Sequence, residues 1–324
     1  MTVQDRGRAG YLAFGLSRGG AADTLALEEG AALLGQDTGT AAIEMAGTGG
    51  VFQASEDIRV ALTGALMRAD IEGTSLPWNA SHTLPAGANL TIGAAVAGVY
   101  GYLHIGGGVV SPEIMGSRSM HLTAGIGRTL QDGDSLPLGP DAGDRIGLVL
   151  DPEDRCSGGP VRVVKSLQTA VFAKSEVSRF EASSMIRDAR GNRMGVRLSP
   201  DGDGFHTDAG LKILSEVIVP GDIQITGDGS PFVLLSECQT TGGYPRIGSV
   251  LPADLPRVAQ ARPGAVLKFT FIDLEEAGRL ERKERDRRKM LGQTLRPLIR
   301  DPRTIRDLLS FQLISGATAG EDLE

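Results

Sequence analysis

Six consecutive residues, Gln239 to Tyr244, offer the densest set of ligand-binding groups in the chain. They open the segment QTTGGYPRIG and follow the apolar run Pro231–Ser236, so they lie where a predicted strand enters a loop. The amide and hydroxyls are neutral donors, and adjacent glycines leave backbone N–H groups open to a carboxylate or a developing oxyanion. We predict that these residues bind substrate: Gln239, Thr240, Thr241, Gly242, Gly243 and Tyr244. A tight hairpin with internally bonded threonines is the alternative.

Arginines beside glycines form a second group of candidates. Arg118 lies with Ser119 in the segment GSRS, and Arg193 and Arg197 lie in the segment NRMGVR. A guanidinium presents a planar fork of donors that matches the oxygens of a carboxylate or phosphate. We therefore predict that Arg118, Ser119, Arg193 and Arg197 hold an anionic group of a substrate. Structural ion pairs would use arginine in the same way, so both interpretations stay open.

Three acidic residues are candidates for proton transfer. Asp5 lies in the cluster TVQDRGRAG, Asp23 lies at the start of a predicted helix, and Glu44 is isolated in the apolar run AAIEM. A carboxylate exposed in a pocket can act as a general acid or base. Two of the three also have structural alternatives. Asp23, like Ser17, can cap the helix, and Glu44, costly to bury alone, is expected to pair with an arginine.

Other catalytic signatures are missing from the sequence. The four histidines lie far apart, with no carboxylate or cysteine at metal-ligand spacing, so we predict no metal site. Cys156 and Cys238 lack the paired spacing of a zinc site and are expected to be reduced thiols. Neither a GxSxG nucleophile elbow nor a GxxxxGK(S/T) phosphate loop occurs. If the protein handles ATP, we expect the nucleotide to bind elsewhere in an assembly.

The composition is that of an ordinary globular protein. The chain has 324 residues, 41% hydrophobic and 23% charged, and this length predicts about two domains. A net charge of −7 with dispersed basic residues argues against nucleic-acid binding. No run long enough to span a membrane occurs, and the N-terminal segment MTVQDRGRAG has no apolar core of a signal peptide. We expect a cytoplasmic protein without membrane contact.

Short apolar runs between turn residues predict the elements that position these groups. The 45 glycines scattered among the runs favour a mostly β fold, as a barrel or sandwich. Helices are predicted at Ala22–Leu34, ending at Gly35, and at Leu274–Leu291. The segment Asp151–Pro160 is the best domain boundary, and the apolar tail Leu295–Glu324 is expected to dock onto the body or a partner. The predicted strands are Ile58–Thr63, Asn89–Ile92, Val99–Ile105, Arg145–Leu150, Val161–Val164, Ile223–Ile225, Pro231–Ser236 and Val266–Ile272.

Eight motifs, in order along the chain, resemble one known family. They are TVQDRGR at Thr2–Arg8, AAD at Ala21–Asp23, AIE at Ala42–Glu44, ALTGA at Ala61–Ala65, GSRS at Gly116–Ser119, RMGVRL at Arg193–Leu198, SEVIVPGDIQI at Ser215–Ile225 and QTTGGYPRI at Gln239–Ile247. With these motifs, the chain resembles the biotin-dependent carboxyltransferase / allophanate hydrolase subunit 2 family, which includes the C subunits of 5-oxoprolinases and KipA-like proteins. The resemblance implies two tandem cyclophilin-like β-barrels, at 1–155 and 156–273, with a few short helices and a helical extension at 274–324.

The same resemblance implies work in an assembly. The chain would be one part of an ATP-dependent 5-oxoprolinase, inactive alone, beside the A and B subunits of that enzyme, which are LamB/YcsF-like and KipI-like. The lactam would be phosphorylated before water opens it to glutamate, with ATP bound in the assembled complex. One alternative is the carboxyltransferase component of a biotin-dependent urea or amide carboxylase. Biotin would then arrive on a separate carrier, because no AMKM-type motif occurs here. Another is a non-catalytic, KipA-like regulatory partner of a kinase inhibitor.

The chain departs from the family pattern at its start, at one turn and before QTTGG. Family members usually carry about a strand's worth of residues before TVQD, so either the start is misassigned or an edge strand is missing. Ser166-Leu167-Gln168 replaces a Gly-Pro-Gln turn, and Glu237 replaces an aspartate. We expect some detail of the active site to differ accordingly.

Overall fold

Strands dominate the computed structural model of the chain, which describes residues 1–207 and 214–299. Most of the strands belong to a seven-stranded N-terminal sheet and a closed C-terminal barrel. The predicted mostly β fold is therefore confirmed. None of the helices in these two ranges is long and apolar enough to cross a membrane. The predicted tail from residue 300 onward lies outside the described residues.

The N-terminal sheet is built around two long antiparallel strands. Its strands are β1 (Thr2–Gln4), β2 (Ala42–Ala46), β3 (Val51–Gln53), β4 (Ile58–Ile71), β5 (Thr74–Ser75), β6 (Ser81–Leu84) and β7 (Asn89–Ile105). The order is β1-β2-β7-β4-β5, with β3 on β7 and β6 on β4. The two strands predicted at Asn89–Ile92 and Val99–Ile105 are one strand, because the small residues between them pair with β4 through irregular register.

Helix α1 (Thr24–Leu34) packs its apolar face against β4 and β7. It begins where the Asp23 carboxylate accepts a hydrogen bond from the N–H of Ala26 at 3.1 Å. It ends at Gly35, which adopts a left-handed φ of 64°. The predicted cap and the predicted end are therefore confirmed, whereas the helix begins at Thr24, two residues after the predicted start. Close packing against β7 requires Gly30, because a Cβ there would lie 2.2 Å from the ring of His104.

The C-terminal sheet closes completely. Its strands are β9 (Gly158–Val164), β10 (Met185–Asn192), β11 (Gly195–Pro200), β13 (Asp222–Ile225), β14 (Pro231–Leu234), β16 (Arg246–Val250) and β17 (Val266–Phe271), in the order β10-β11-β14-β13-β16-β9-β17. The pair β17–β9 is parallel, and the other pairs, including β17–β10, are antiparallel. A separate ribbon pairs β12 (Glu216–Val217) with β15 (Thr241–Gly242).

Aromatic residues pack together in the barrel core. Helix α2 (Lys174–Ala182) buries Phe180 completely, with its ring centroid 5.4 Å from Phe205 and 5.3 Å from Phe269. Each ring buries a large apolar surface. The remaining core consists mainly of valines, leucines and isoleucines from alternate strand positions.

The segment after the barrel folds back onto the N-terminal half. Helix α4 (Leu274–Lys289) follows β17, capped by Asp273, and the helix predicted to reach Leu291 stops two residues earlier. A short 3-10 helix at Leu291–Gln293 buries Leu291 against α1. Strand β18 (Arg296–Pro297) then pairs with β8 (Leu148–Val149). The strand predicted at Arg145–Leu150 is reduced to these two residues.

One glutamine joins the two halves. Helix α3 (Leu255–Gln260) places Gln260 against β7, where its Oε1 accepts from the N–H groups of Val99 and Tyr100 at 2.9 and 3.0 Å. Its Nε2 donates to the Tyr100 carbonyl and the Asp23 carboxylate, both at 2.8 Å. The fully buried amide therefore acts as a local strand partner. The division at residues 155 and 273 remains our prediction of domain organisation.

Candidate functional site

A cleft of about 390 Å³ lies where the two halves meet. One wall comes from the N-terminal half and includes Ser17 and His121, and the other comes from the segment that follows β14. Of the predicted substrate-binding residues, Gln239, Thr240 and Thr241 line it. A backbone hydrogen bond from the N–H of Gly19 to the carbonyl of Ser236 at 2.9 Å holds the two walls together. Polar groups from distant parts of the sequence thus meet in one cavity.

The wall that carries Gln239–Thr241 is fixed at both ends. Before it, the N–H of Glu237 donates to the carbonyl of Arg193 at 2.8 Å, and the N–H of Cys238 donates to the carbonyl of Leu235 at 3.0 Å. After it, β15 pairs with β12. Gly242 is closely packed at that point, because a Cβ there would lie 2.4 Å from the amide nitrogen of Gln224 and 2.9 Å from Cδ1 of Ile218, so a neighbouring side chain would have to shift. The donors are therefore held in place before any ligand arrives.

The rest of the predicted motif lies beside the cleft rather than in its wall. Gly242 belongs to β15, Gly243 is half-buried, and Tyr244 is 43% exposed. None of these three described residues lines the cleft. The exposed Tyr244 ring is free for contacts with a partner or with a larger ligand.

Ser17 and His121 form a buried hydrogen-bonded pair in the opposite wall. The hydroxyl oxygen of Ser17 is 3.0 Å from Nε2 of His121, and Nδ1 of the same ring accepts the N–H of Ala124 at 3.2 Å. The Glu237 carboxylate lies 3.8 Å from Nδ1 and accepts the N–H of Thr123 at 3.1 Å. Burial lowers the pKa of His121. The negative charge of Glu237 raises it, but the positive charges of Arg8 and Arg193 lower it further, and the net pKa lies below its ordinary value. This lowered pKa favours the neutral form of the imidazole.

Beneath the cleft, Arg193 links both halves. Its Nε donates to Glu237 at 2.6 Å, and its two terminal nitrogens donate to the Glu44 carboxylate and the Gly20 carbonyl. Glu44 also accepts the Tyr102 hydroxyl at 2.6 Å. Burial alone would lower the pKa of Arg193, but the two carboxylates raise it well above its ordinary value. The expected pairing of Glu44 with an arginine is confirmed.

Asp5 organises the loop that contains GSRS. Its carboxylate accepts hydrogen bonds from the N–H groups of Gly7 and Arg118, at 2.8 and 2.7 Å, and from the hydroxyls of Ser117 and Ser119. Burial raises the pKa of Asp5, but these four donors outweigh burial and leave the pKa below its ordinary value. The carboxylate is thus ionised and fully engaged in holding the loop.

Asp23 belongs to a second buried network. Besides capping α1, its carboxylate accepts Nε of Arg155 at 2.7 Å, while the other nitrogens of Arg155 bind Glu29 at 2.9 and 2.6 Å. Burial raises the pKa of Glu29 despite the opposing charge of Arg155. Asp23 has no exposed surface. The structure therefore separates Asp23 from the cleft and assigns it to the contact between α1 and the segment before β9.

The remaining predicted anion-binding residues are dispersed. Arg118 and Ser119 line another cavity, of about 500 Å³, in the N-terminal half. Arg197 lies on β11 and pairs with Asp228 at 2.5 Å. These three residues and Arg193 therefore do not form a common anion site in the structure.

The two cysteines are weak nucleophiles. Cys238 lines the cleft, but burial, assisted by the charge of Asp222, raises the pKa of its thiol to about 12. Burial likewise raises the pKa of Cys156 to about 11. At neutral pH both therefore stay protonated, and the thiolate is the reactive form.

Sequence reasoning missed the importance of His121, Glu237 and Arg155. Ser17 and His121 are 104 positions apart, and Thr123 and Glu237 are 114 apart. No local spacing rule connects residues at such separations. One feature of the sequence did point to this site. Glu237, shortly before Gln239–Thr241, replaces the aspartate that is usual in the family that the chain resembles.

Comparison with known proteins identifies the family. Residues 14–271 match the model of the carboxyltransferase domain, subdomains A and B. The C subunit of 5-oxoprolinase from Haemophilus influenzae is 35% identical over 290 residues, covering 87% of this chain and 91% of that protein. The C subunit of 5-oxoprolinase from Escherichia coli is 33% identical over 280 residues, covering 85% and 89%.

A solved structure supports the fold. The urea carboxylase of Kluyveromyces lactis superposes with a TM-score of 0.80 at 22% identity, over 93% of this chain. This chain spans 30% of that longer protein, so the likeness concerns the fold alone. The match of the family model over most of the chain, together with the two relatives above 30% identity, shows that the chain belongs to the carboxyltransferase domain family, subdomains A and B.

Proposed function

We propose that this chain is the C subunit of an ATP-dependent 5-oxoprolinase, which converts 5-oxoproline to glutamate with partner subunits. The observation that carries the proposal is the similarity, over nearly the whole chain, to two proteins that are named as the C subunit of 5-oxoprolinase. The cleft is chemically suitable. 5-Oxoproline carries a carboxylate and a lactam carbonyl, both hydrogen-bond acceptors, and Gln239, Thr240 and Thr241 offer neutral donors to such oxygens.

The acidic candidates differ in their relation to the cleft. Glu44 connects to it through Arg193 and Glu237, whereas Asp5 and Asp23 are occupied by the loop and helix that they hold. We therefore rank Glu44 first for proton transfer, in an assembly that opens this network to substrate. Arg118, Ser119 and Arg197 would contact substrate only if a partner protein brings ligand to their surfaces.

We propose that ATP binds to another protein of the assembly. The sequence contains no glycine-rich phosphate loop, and within residues 1–207 and 214–299 no group of three acidic, histidine or cysteine side chains could hold a metal ion. Neither feature of a nucleotide site is therefore found in the described residues, and we assign the ATP chemistry to another protein of the assembly. The partners would be the A and B subunits, LamB/YcsF-like and KipI-like respectively, and the isolated chain would be inactive.

Reconstitution tests the proposal. The chain is co-expressed with the proteins encoded beside it, and ATP-dependent glutamate release from 5-oxoproline is measured with each protein omitted in turn. We expect turnover only when this chain is present. Gln239→Ala and Thr240→Val should each reduce kcat/KM about tenfold, the loss of one useful hydrogen bond. Thr83→Val, a control on β6, should leave it unchanged. Full turnover without this chain would refute the proposal.

The family description favours carboxyl transfer as the second candidate. In that reaction the same neutral donors would stabilise a biotin enolate and orient the acceptor nitrogen. Biotin would be carried by another protein, so avidin should abolish the activity. This candidate would be established if the complex forms and does not convert 5-oxoproline, but carboxylates an amide and loses that activity when avidin is added. A complex without either turnover would support a KipA-like regulatory role.

A further inference from the structure

We infer that Ser17 binds an oxygen of the substrate, and that His121 orients the Ser17 hydroxyl for this contact. The inference rests on the proposed function for the identity of the substrate, but the orientation of the hydroxyl follows from the geometry alone. Ser17 is thereby a substrate-binding residue, and His121 is a positioning residue.

The hydrogen bonds of the imidazole fix its tautomer. The N–H of Ala124 points at Nδ1 of His121 at 3.2 Å, so Nδ1 must offer a lone pair. A neutral imidazole with a bare Nδ1 carries its proton on Nε2. Nε2 lies 3.0 Å from the Ser17 oxygen, and it is therefore the donor in that bond.

Because His121 donates and Ser17 accepts in this hydrogen bond, the proton of the Ser17 hydroxyl has no acceptor in the described part of the chain. In residues 1–207 and 214–299, the Ser17 hydroxyl has no hydrogen-bond partner other than His121. Ser17 is only 4% exposed and lines the cleft, so an acceptor for its proton can approach from the cleft. A buried donor without an acceptor is costly, and an acceptor oxygen on a ligand in the cleft removes that cost.

The opposite arrangement, a serine nucleophile activated by a histidine base, does not fit. A base must present a bare Nε2 to the serine, whereas here Nε2 holds the proton. Glu237, the carboxylate nearest Nδ1, is 3.8 Å away, and Ala124 takes the position that the third member of a triad would need. Protonating His121 would also set its new N–H against that of Ala124. The pair therefore acts as a donor of hydrogen bonds.

The charge on the ligand oxygen sets the size of the effect. A hydrogen bond to a charged oxygen contributes more than one to a neutral group. Removing the Ser17 hydroxyl should reduce kcat/KM for 5-oxoproline about 10- to 100-fold. Ser17→Thr retains the hydroxyl and should retain most of the activity.

The orientation is tested on the isolated chain, without reference to any substrate. The chain has four histidines, so long-range ¹H–¹⁵N spectra resolve each ring, with His121→Gln used to assign the His121 signals. We expect the pattern of a proton on Nε2 at pH 6.5 to 8. A proton on Nδ1 would overturn the inference.

The contact with substrate is tested in the assembled enzyme. Ser17→Ala and His121→Leu should both reduce kcat/KM, whereas His121→Gln, which keeps an N–H near the position of Nε2, should recover much of the loss. Ser183→Ala is the matched control, because within the described residues the Ser183 hydroxyl bonds to the Arg179 carbonyl alone. Activity of Ser17→Ala within twofold of the parent would refute the contact. If the parent assembly does not convert 5-oxoproline, the proposed function is refuted. The ring spectra of the isolated chain still decide how the Ser17 hydroxyl is oriented.

Discussion

Replacing Arg193 by methionine should destabilise the protein strongly, because it leaves two buried carboxylates without their cation. Glu44 and Glu237 are 2% and 1% exposed, and Arg193 contacts both. Removing one member of a buried ion pair costs about 3–5 kcal/mol. With an unfolding entropy of about 2.1 cal/mol/K per residue, a chain of this length loses about 4–7 °C of melting temperature.

Calorimetry measures this shift, and two further variants make it interpretable. Arg190→Met removes an arginine that is 71% exposed and pairs with Asp188, so it should shift the melting temperature by about 1 °C or less. Adding Glu44→Gln to Arg193→Met should recover part of the loss, since one unpaired charge disappears. A shift for Arg193→Met no larger than that for Arg190→Met would refute the argument that this cluster stabilises the contact between the halves.

Three further substitutions test other parts of the structure by chemical denaturation. Burial lowers the pKa of His104 to about 3, below its value in the unfolded chain, so stability present above pH 6.5 is lost as the pH falls. Between pH 7.5 and 5, the free energy of unfolding of His104→Gln should therefore fall by about 2 kcal/mol less than that of the parent. Parallel curves of unfolding free energy against pH would contradict this. Gly30→Ala should cost about 3 kcal/mol because its Cβ meets the His104 ring. In comparison, a Cβ added at Gly35 meets nothing within 4 Å, so Gly35→Ala should reduce the free energy of unfolding by about 1 kcal/mol because of its positive φ. Equal losses for Gly30→Ala and Gly35→Ala would contradict the packing argument. Asp5→Asn should cost about 2 kcal/mol at pH 7. The pKa of Asp5 is lowered in the fold, so its contribution is present above pH 4 and lost below it, and the difference from the parent should shrink at pH 3.

Local signals in the sequence predicted those features that depend on local interactions. Helix α1, its Asp23 cap and its Gly35 terminus follow from residues within one turn of each other. The arginine partner of Glu44 could be expected on energetic grounds, because a lone buried carboxylate is costly. Its identity, Arg193, could not be derived, since nothing near Glu44 in the sequence indicates which arginine the folded chain brings to it.

The candidate site shows the same limit. Gln239, Thr240 and Thr241 were predicted because donors and glycines follow a strand directly. Ser17 and His121 face them only because the barrel docks onto the N-terminal sheet, partly through Gln260. The sequence pattern also divided β7 into two predicted strands. The small residues in the middle of β7 give no alternation of apolar and polar positions, although the strand continues through them.

The parallel contact between β9 and β17 has a consequence for synthesis of the protein. The strand that begins the barrel at Gly158 hydrogen-bonds to the strand that ends it at Phe271, and β17 also completes the edge of β10. On the ribosome, β9 and β10 therefore keep open edges until the last strand has left the exit tunnel. Nascent chains that stop earlier present two unpaired edges to their neighbours, which makes them candidates for aggregation and for capture by chaperones.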